Sequence, residues 1–457
     1  MFTQFSCVEM CGISLVVSQK ESYCREDPPG CSSTLSDTLK IKLSALLTSR
    51  GPDAQNAVSA AFPADMAAIV DSGNFEIDVP SAMIDLWMFG SVLHIQGESV
   101  TAQPCVDQKG NILLWNGEVF GQDDDAGNVE GKLEIKEGES DTTAVARMLA
   151  FAADSIAKSG TALTFHSDHC RAITTAITHC LSMVHGPYAF VYYHKATNSI
   201  HFGRDPFGRR SLVVGHAVPL IDAVCSEMST GVDIVIDPNN PLVLSSVCPP
   251  KATASEIICD GKVLHANSAG NSDIQWEEVN ISGVYCLHFQ SSQTSSANVM
   301  NLSCVPWPVH RLRVGRGLSC TQNMTHSVVE NDIDSGILFC DTLQGAVQRR
   351  VNSMPHVHNS TSTILRCETN TIEHSMVSME GRSRVGVLFS GGIDSVLLTA
   401  LLHHSTPPEL SIDLLNVTFI KTTGTNGSNG NTPSPDRVAA IAALLELQVS
   451  VYFGDCH

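Results

Sequence analysis

Apolar and polar residues alternate along GISLVV (Gly12–Val17), the two-residue period of a half-buried strand. The pattern then changes: Leu35, Leu39, Leu43 and Leu46 recur at helical spacing and share one face of a predicted helix. SRGPD (Ser49–Asp53) follows, and Pro52 ends the helix because its ring removes a donor and crowds the preceding turn. GNILLWNGEVF (Gly110–Phe120) reads as a turn and a strand running into an Asn-Gly pair. SDTTAVARMLAF (Ser140–Phe151) reads as a helix capped by Ser140 or Asp141. The stretch Gly186–Val214 predicts two or three strands, with turns at Lys195–Asn198 and Pro206–Gly208.

Between these elements, Gly121–Ser140 is acidic with little to bury and predicts a solvated loop. From Cys248 to Arg384 the chain is rich in Ser, Thr, Asn and His, with apolar islands at Ser282–Phe289 and Asn331–Val351. In the second island Ile337, Leu338, Leu343 and Val347 fit one helical face. Asn352–Thr371 reads as disordered. From Val385 the order becomes buried strand, glycine loop, helix and strand, which is the signature of an α/β unit. DLLNVTF (Asp413–Phe419) is its second, parallel strand, SPDRVAAIAALLEL (Ser434–Leu447) a capped helix, and QVSVYF (Gln448–Phe453) a third strand. The resulting division is an N-terminal extension over 1–10, a first domain over 11–250, a connecting region over 251–380 and a second domain over 381–457.

Charge narrows the partners. Lys and Arg number 27 against 47 Asp and Glu, for a formal net charge of -20. So acidic a chain is a poor match for nucleic acid or an anionic membrane surface, and small ligands are expected. No apolar run reaches the roughly 20 residues of a membrane helix, and Met1–Glu9 lacks the basic start and apolar run of a secretory signal. Sixteen cysteines without a C-x-x-C pair fit reduced thiols in a cytoplasmic protein. The histidines of His356–His374 have no carboxylate or cysteine at metal spacing, so no metal site is expected.

Two stretches carry chemistry. In VGVLFSGGIDSVLLTALL (Val385–Leu402) two glycines permit close backbone approach, and the helix start directs unpaired N–H groups outward, where a pyrophosphate fits. Ser390 and Ser395 add hydroxyls, and Asp394 can orient a magnesium ion or the loop. At the other end, Met10-Cys11-Gly12-Ile13 is followed in order by RGPD (Arg50–Asp53), NGE (Asn116–Glu118), SD (Ser140–Asp141) and FGRDPFGRRSL (Phe202–Leu212). A cysteine thiol acting as a nucleophile needs a base and an acid, and a terminal α-amine with a pKa of about 8 can be both. The side chain of Asn116 and the N–H of Gly117 suit an oxyanion. Arg50 suits a carboxylate, and Asp141 with Glu118 a cation.

These motifs resemble the class II glutamine amidotransferases of the N-terminal-nucleophile group, and the SGGIDS loop resembles that of the ATP pyrophosphatases. Together they resemble the glutamine-dependent asparagine synthetase family. The resemblance implies an α+β N-terminal-nucleophile amidotransferase domain, an αββα sandwich, followed by an incomplete α/β ATP pyrophosphatase (PP-loop) domain. It implies glutamine hydrolysis at Cys11, with Asn116 and Gly117 stabilising the oxyanion and Arg50, Glu118 and Asp141 holding glutamine. Ammonia would pass to an aspartyl adenylate made from aspartate, ATP and Mg2+, with Ser390, Gly391, Gly392, Asp394 and Ser395 around the pyrophosphate and Val417 and its neighbours near adenine. Three departures accompany it. Ten residues precede Cys11. Gln96 stands where the synthetases carry arginine, which makes His94 and Gln96 weak functional candidates. The chain ends about 60 residues past the phosphate loop by order of magnitude, so a C-terminally truncated synthetase that does not complete asparagine synthesis is expected. The alternative is a catalytically impaired relative retained as a binding or regulatory protein.

Overall fold

The computed structural model describes residues 11–21, 35–63, 82–122, 133–158, 166–221, 224, 231–236, 240–249, 257–259, 262–264, 274–289, 299–308, 332–353, 385–408, 411–417 and 435–454. The chain divides into two compact units, Met1–Gln322 and Asn323–His457. Expectations for the N-terminal extension, most of the acidic loop and the His356–His374 stretch lie outside the described residues.

In the first unit the alternating stretches become strands of two antiparallel sheets. One holds β1 (Gly12–Glu21), β2 (Ala54–Pro63), β3 (Ala82–Val92), β10 (Val213–His216), β12 (Leu242–Ser245) and β15 (Gln275–Glu278), in the spatial order β15-β10-β12-β1-β3-β2. The other holds β4 (Cys105–Val106), β5 (Ile112–Gly117), β8 (Tyr188–His194), β9 (Ser199–Arg204), β11 (Val232–Val235), β16 (Gly283–Phe289) and β17 (Val299–Pro306), in the order β11-β17-β16-β9-β8-β5-β4. Two short pairs, β6 (Gly121–Gln122) with β7 (Val184–His185) and β13 (Ile257–Cys259) with β14 (Lys262–Leu264), complete the strands of this unit.

Side chains alternate across each strand, so each sheet has an inner and an outer face. Ile13, Leu15 and Val17 of β1 meet Leu114, Val191, Phe202 and Tyr285 of the facing sheet in a shared core. The outer faces are covered by helices. Leu39 and Leu43 of α1 (Leu35–Thr48) pack on Val16 and Val243. Val145, Leu149, Ile173 and Ile177 of α2 (Asp141–Lys158) and α3 (His166–Ser182) pack on Trp115, Phe190 and Tyr192. The layers therefore run helix, sheet, sheet, helix, as the αββα expectation requires.

Several local expectations need correction. Leu47, not Leu46, is the buried C-terminal leucine of α1; Leu46 is 37% exposed because a step of one residue turns it about 100° away from the sheet. Strands β15, β16 and β17 pair within the two sheets, so the 251–380 stretch is not simply a connection and the sheets do not end at residue 250. The island at Ser282–Phe289 marks β16, but its pairing with β9, far upstream in the chain, is not written in the local pattern. Arg204 and Asp205, adjacent in the FGRDPFGRRSL stretch, take different partners. Arg204 Nη1 donates to Glu278 Oε1 at 2.6 Å, while Asp205, fully buried, accepts from Tyr188 N, Phe207 N, Arg209 N and Arg209 Nε at 2.9–3.2 Å. One carboxylate thus organises the whole turn after β9. Asp205→Ala strands those donors in a dry site and is expected to cost about 3 kcal/mol, read as a lowered midpoint in urea or thermal unfolding of the chain.

The second unit holds α4 (Asp332–Asn352), β18 (Val385–Leu388), α5 (Ile393–Ser405), β19 (Ile412–Leu415) and α6 (Pro435–Gly454). β18 and β19 are parallel, with Val385 opposite Ile412 and Leu388 opposite Leu415. Phe389, Val396, Leu414, Ala440, Ala443, Leu444 and Leu447 form its core. Residues 448–453 continue α6 and are not a third strand; the apolar face of this helix, carried to Leu447 against Phe389, outweighs the β-branched residues that follow. β18 is not buried on both faces, since Leu388 is 67% exposed among the described residues. In α4, Ile337 and Leu338 are exposed while Val347 is buried, so the four residues do not share one packed face. No helix among the described residues is long and apolar enough to cross a membrane.

Candidate functional site

Cys11 immediately precedes β1, the strand held between β12 and β3. There is no slack at this point. A Cβ on Gly12 would lie 2.4 Å from Ser91 Oγ, and that hydroxyl accepts from Gly12 N at 3.1 Å and donates to Leu47 O at 2.7 Å. Cys11 Sγ accepts from Leu93 N at 3.4 Å. Two residues away from the thiol in sequence, Ile13 N donates to Ser246 Oγ at 3.2 Å. The same hydroxyl accepts Asn116 Nδ2 at 3.5 Å, tying the ends of β1 and β5 together.

Asn116 and Gly117 close β5 opposite Ala189 and Tyr188, so this pair is the end of a strand and not a hairpin turn. Gly117 has to be glycine, because a Cβ there would lie 2.7 Å from Tyr188 Cβ and 2.8 Å from Pro187 O. Beyond it, Glu118 N donates to Pro187 O at 2.9 Å, fixing the turn that presents the Glu118 side chain. Ser140 caps α2 by accepting Thr143 N at 3.3 Å. That leaves Asp141 free of the cap: Oδ2 accepts the indole N–H of Trp115 at 3.3 Å, and Oδ1 accepts Thr142 N at 2.6 Å. Arg50 follows α1, with its Nε and Nη2 buried, and the adjacent Gly51 packs so tightly that a Cβ would lie 2.3 Å from Val92 N, one residue before Leu93.

Glu118 and Asp141 are electrostatic neighbours of each other and of Cys11. Burial, then Asp141, push the Glu118 carboxyl up to about 8, against the pull of Arg210 and of the Gln96 amide. Burial raises Asp141 to about 6 despite hydrogen bonds from Trp115, Thr142 and Val119. The Cys11 thiol is pushed up to about 11, first by burial and further by the two carboxylates, while the Leu93 hydrogen bond and Arg210 act in the other direction. At neutral pH the thiol therefore keeps its proton and requires a base. The carboxyl pair is short of positive charge, and a bound ammonium would relieve it.

Gln96, at the position where the synthetases carry arginine, contacts one of the two acids. It is buried, donating from Nε2 to Glu118 Oε2 at 2.7 Å and to Val119 O at 3.3 Å. Arg210 also faces this site, and only its place inside the FGRDPFGRRSL stretch hinted at it. His94 contributes its backbone N–H to Asp53 Oδ2 at 2.7 Å, which leaves it with a structural part.

In the second unit the SGGIDS loop joins β18 to α5. Gly391 has φ +81, and a Cβ would lie 2.6 Å from the backbone of Ala439 and Ala440 in α6, so the loop can approach that helix only with glycine. Gly392 N donates to Ser390 Oγ at 3.3 Å, and the buried Ser395 donates to Gly392 O at 2.8 Å. Ser390, Gly392 and Asp394 are exposed at the carboxyl ends of the two parallel strands. Asn416, just past β19, donates to Phe389 O at 2.9 Å, while its Oδ1 is buried without a hydrogen bond. Val417 is 63% exposed at the same strand end.

A family model described as a glutamine amidotransferase domain matches residues 91–230. That span takes in Asn116, Gly117, Glu118, Asp141 and Arg210, and leaves Cys11 and Arg50 outside it. The chain is 28% identical over 360 residues to a Bos taurus protein named asparagine synthetase domain-containing protein 1, covering 72% of this chain and 48% of the relative. It is 26% identical over 449 residues to the Gallus gallus protein of that name, covering 91% and 59%. The chain spans about half the length of the curated mammalian relatives it matches. Among solved structures, a glutamine phosphoribosylpyrophosphate amidotransferase from B. subtilis aligns at 14% identity and a TM-score of 0.29, over 64% of this chain and 49% of that one. A likeness of that depth decides nothing about function or fold.

Proposed function

We propose that this chain, a relative of the asparagine synthetase domain-containing proteins, releases ammonia from glutamine at Cys11 for transfer to a carboxylate activated with ATP. The observation that carries the reading is the pair formed by half-buried Glu118 and buried Asp141 near the thiol, steadied by Gln96 and Trp115. The pair accepts hydrogen bonds from the α-ammonium of glutamine, and Arg50 donates to its carboxylate, placing the side-chain amide over Cys11 Sγ. An amino group on Cys11 itself takes the thiol proton as sulfur attacks and returns it to the departing ammonia. Asn116 Nδ2 turns from its long contact with Ser246 Oγ to the oxyanion, with the Gly117 N–H as second donor. Water then releases glutamate from the thioester.

At the SGGIDS loop the donors suit a nucleotide pyrophosphate. Hydroxyls of Ser390 and Ser395 and the first N–H groups of α5 would hold it, Asp394 would take magnesium, and the orphaned Asn416 Oδ1 offers an acceptor to the adenine amino group at the strand ends. ATP bound there supplies the leaving pyrophosphate as the carboxylate, aspartate in the family reading, becomes an adenylate. An exchange assay with labelled pyrophosphate, ATP and aspartate tests this step: return of label to ATP supports it, and absence of exchange overturns the ATP half of the reading. The second reading, a binding protein without glutaminase activity, is favoured by one observation: a thiol held at about 11 is inert unless a base is freed next to it. Mass measurement of the purified N-terminus, paired with a glutamate-release assay, separates the two.

A further inference from the structure

The interface between α3 and the outer face of the seven-stranded sheet is apolar at one end and unexpectedly polar at the other. His166, Cys170 and Thr174 follow one another at four-residue steps on one face of α3. Across from them, Tyr285 and Leu287 of β16 point into the inter-sheet core, which turns Cys286 and His288 outward toward the helix. Cys286 pairs in register with His201 of β9, and His201 Nδ1 lies 3.1 Å from Thr174 Oγ1. Cys170 and Cys286 are 0% and 1% exposed, both free thiols. Cys170 Sγ lies 3.5 Å from Nε2 of His166, a residue whose other edge is exposed. His288 is 5% exposed, and both its ring nitrogens are buried without a hydrogen bond.

A packed helix and sheet do not gain stability from such a cluster, since each buried polar group costs free energy unless it is paired. Among the described residues no three His, Cys, Asp or Glu side chains are arranged to hold a metal ion. Thiol chemistry remains. The hydrogen bond from Cys286, and then the imidazole of His166, hold the Cys170 thiol well below its usual range, while Cys286 is correspondingly raised. Attacking and resolving thiols are thereby distinguished. A cavity of about 310 Å3, lined by His166, His169, Ile173 and His194 among others, borders this cluster at His166, the residue that contacts Cys170.

We propose that Cys170 and Cys286 form an oxidisable dithiol, a modification site for a small hydroperoxide, which converts them to a disulfide tying α3 to β16. The Cys170 thiolate attacks the terminal oxygen of the hydroperoxide. The O–O bond breaks, the alkoxide leaves as an alcohol with the proton of the His166 imidazolium, and Cys170 becomes a sulfenic acid. Cys286 then attacks that sulfur, and its thiol proton leaves with the hydroxide as water as the S–S bond forms. Two thiols and one hydroperoxide give one disulfide, one alcohol and one water, the two electrons coming from the two sulfurs. This site is independent of glutamine chemistry at Cys11.

The full chain, treated with hydrogen peroxide and digested without reduction, is expected to yield a linked pair of peptides carrying Cys170 and Cys286 that dithiothreitol separates. His166→Gln, an exposed position, is expected to slow the appearance of that pair about tenfold. In Cys286→Ser the oxidation stops at a sulfenic acid on Cys170, trapped by dimedone. Three results overturn the proposal: recovery of both residues as free thiols while other cysteines oxidise, pairing of Cys170 with a different cysteine, or a co-purified zinc ion that shields both.

Discussion

Glutamate release is expected to fall by more than about a thousandfold when Cys11 is replaced by alanine in a chain that starts at that position, and by a similar amount when Met10 is left attached to an unaltered cysteine. The first substitution removes the nucleophile. The second leaves the sulfur in place and withdraws its base, because the nitrogen becomes an amide. The thiol, pushed up to about 11 by burial and by Glu118 and Asp141, is then almost entirely protonated at neutral pH. A coupled assay for glutamate, run on both proteins and on the cysteine-first chain, checks this. If the extended chain hydrolyses glutamine as fast as the trimmed one, another group must serve as base and the proposed proton path is wrong.

Glu118→Gln is expected to make the ligand-free protein more stable and its glutamine binding worse. The sign follows from the carboxyl's position. Its pKa in the folded protein, about 8, lies above its ordinary value, so ionisation favours the unfolded chain. The resulting loss is absent below about pH 4.5, grows as pH rises, and is complete above pH 8. Native and variant should therefore melt together near pH 4.5 and diverge by about 1–3 kcal/mol at pH 8.5, with the variant the more stable. KM for glutamine should rise about tenfold, since an amide cannot balance the ammonium. Thermal melts across that pH range and initial rates with varied glutamine supply the two readouts. Equal melting at pH 8.5 would show that Glu118 is not the strained member of the pair.

Much of this architecture is legible in the sequence because it depends on local periodicity. Alternation marks β1, and four-residue spacing marks α1 and α2. The glycine loop announces the strand-to-helix step at Ser390–Ser395, where φ +81 at Gly391 leaves no choice of residue. Asn116, Glu118 and Asp141 are legible by resemblance, and the structure brings the two acids together beside Cys11. Gln96, Arg210 and the Cys170 cluster are not legible that way. Gln96 and Arg210 lie in loops that meet only in the folded chain, and the Cys170 cluster depends on register between distant strands, such as Cys286 opposite His201. The error at residues 448–453 has the opposite origin, since local preference for a strand was strong there and packing of the preceding turns prevailed.

The tightness of β1 at its first residue has a kinetic implication. Ser91 grips Gly12 N and Leu47 O at once, and β3 and β12 flank the strand that follows. On the proposed glutaminase reading, cutting the bond before position 11 would therefore release an amine beside a strand whose described neighbours already hold it, and the onset of glutamate release should follow the rate of that cut.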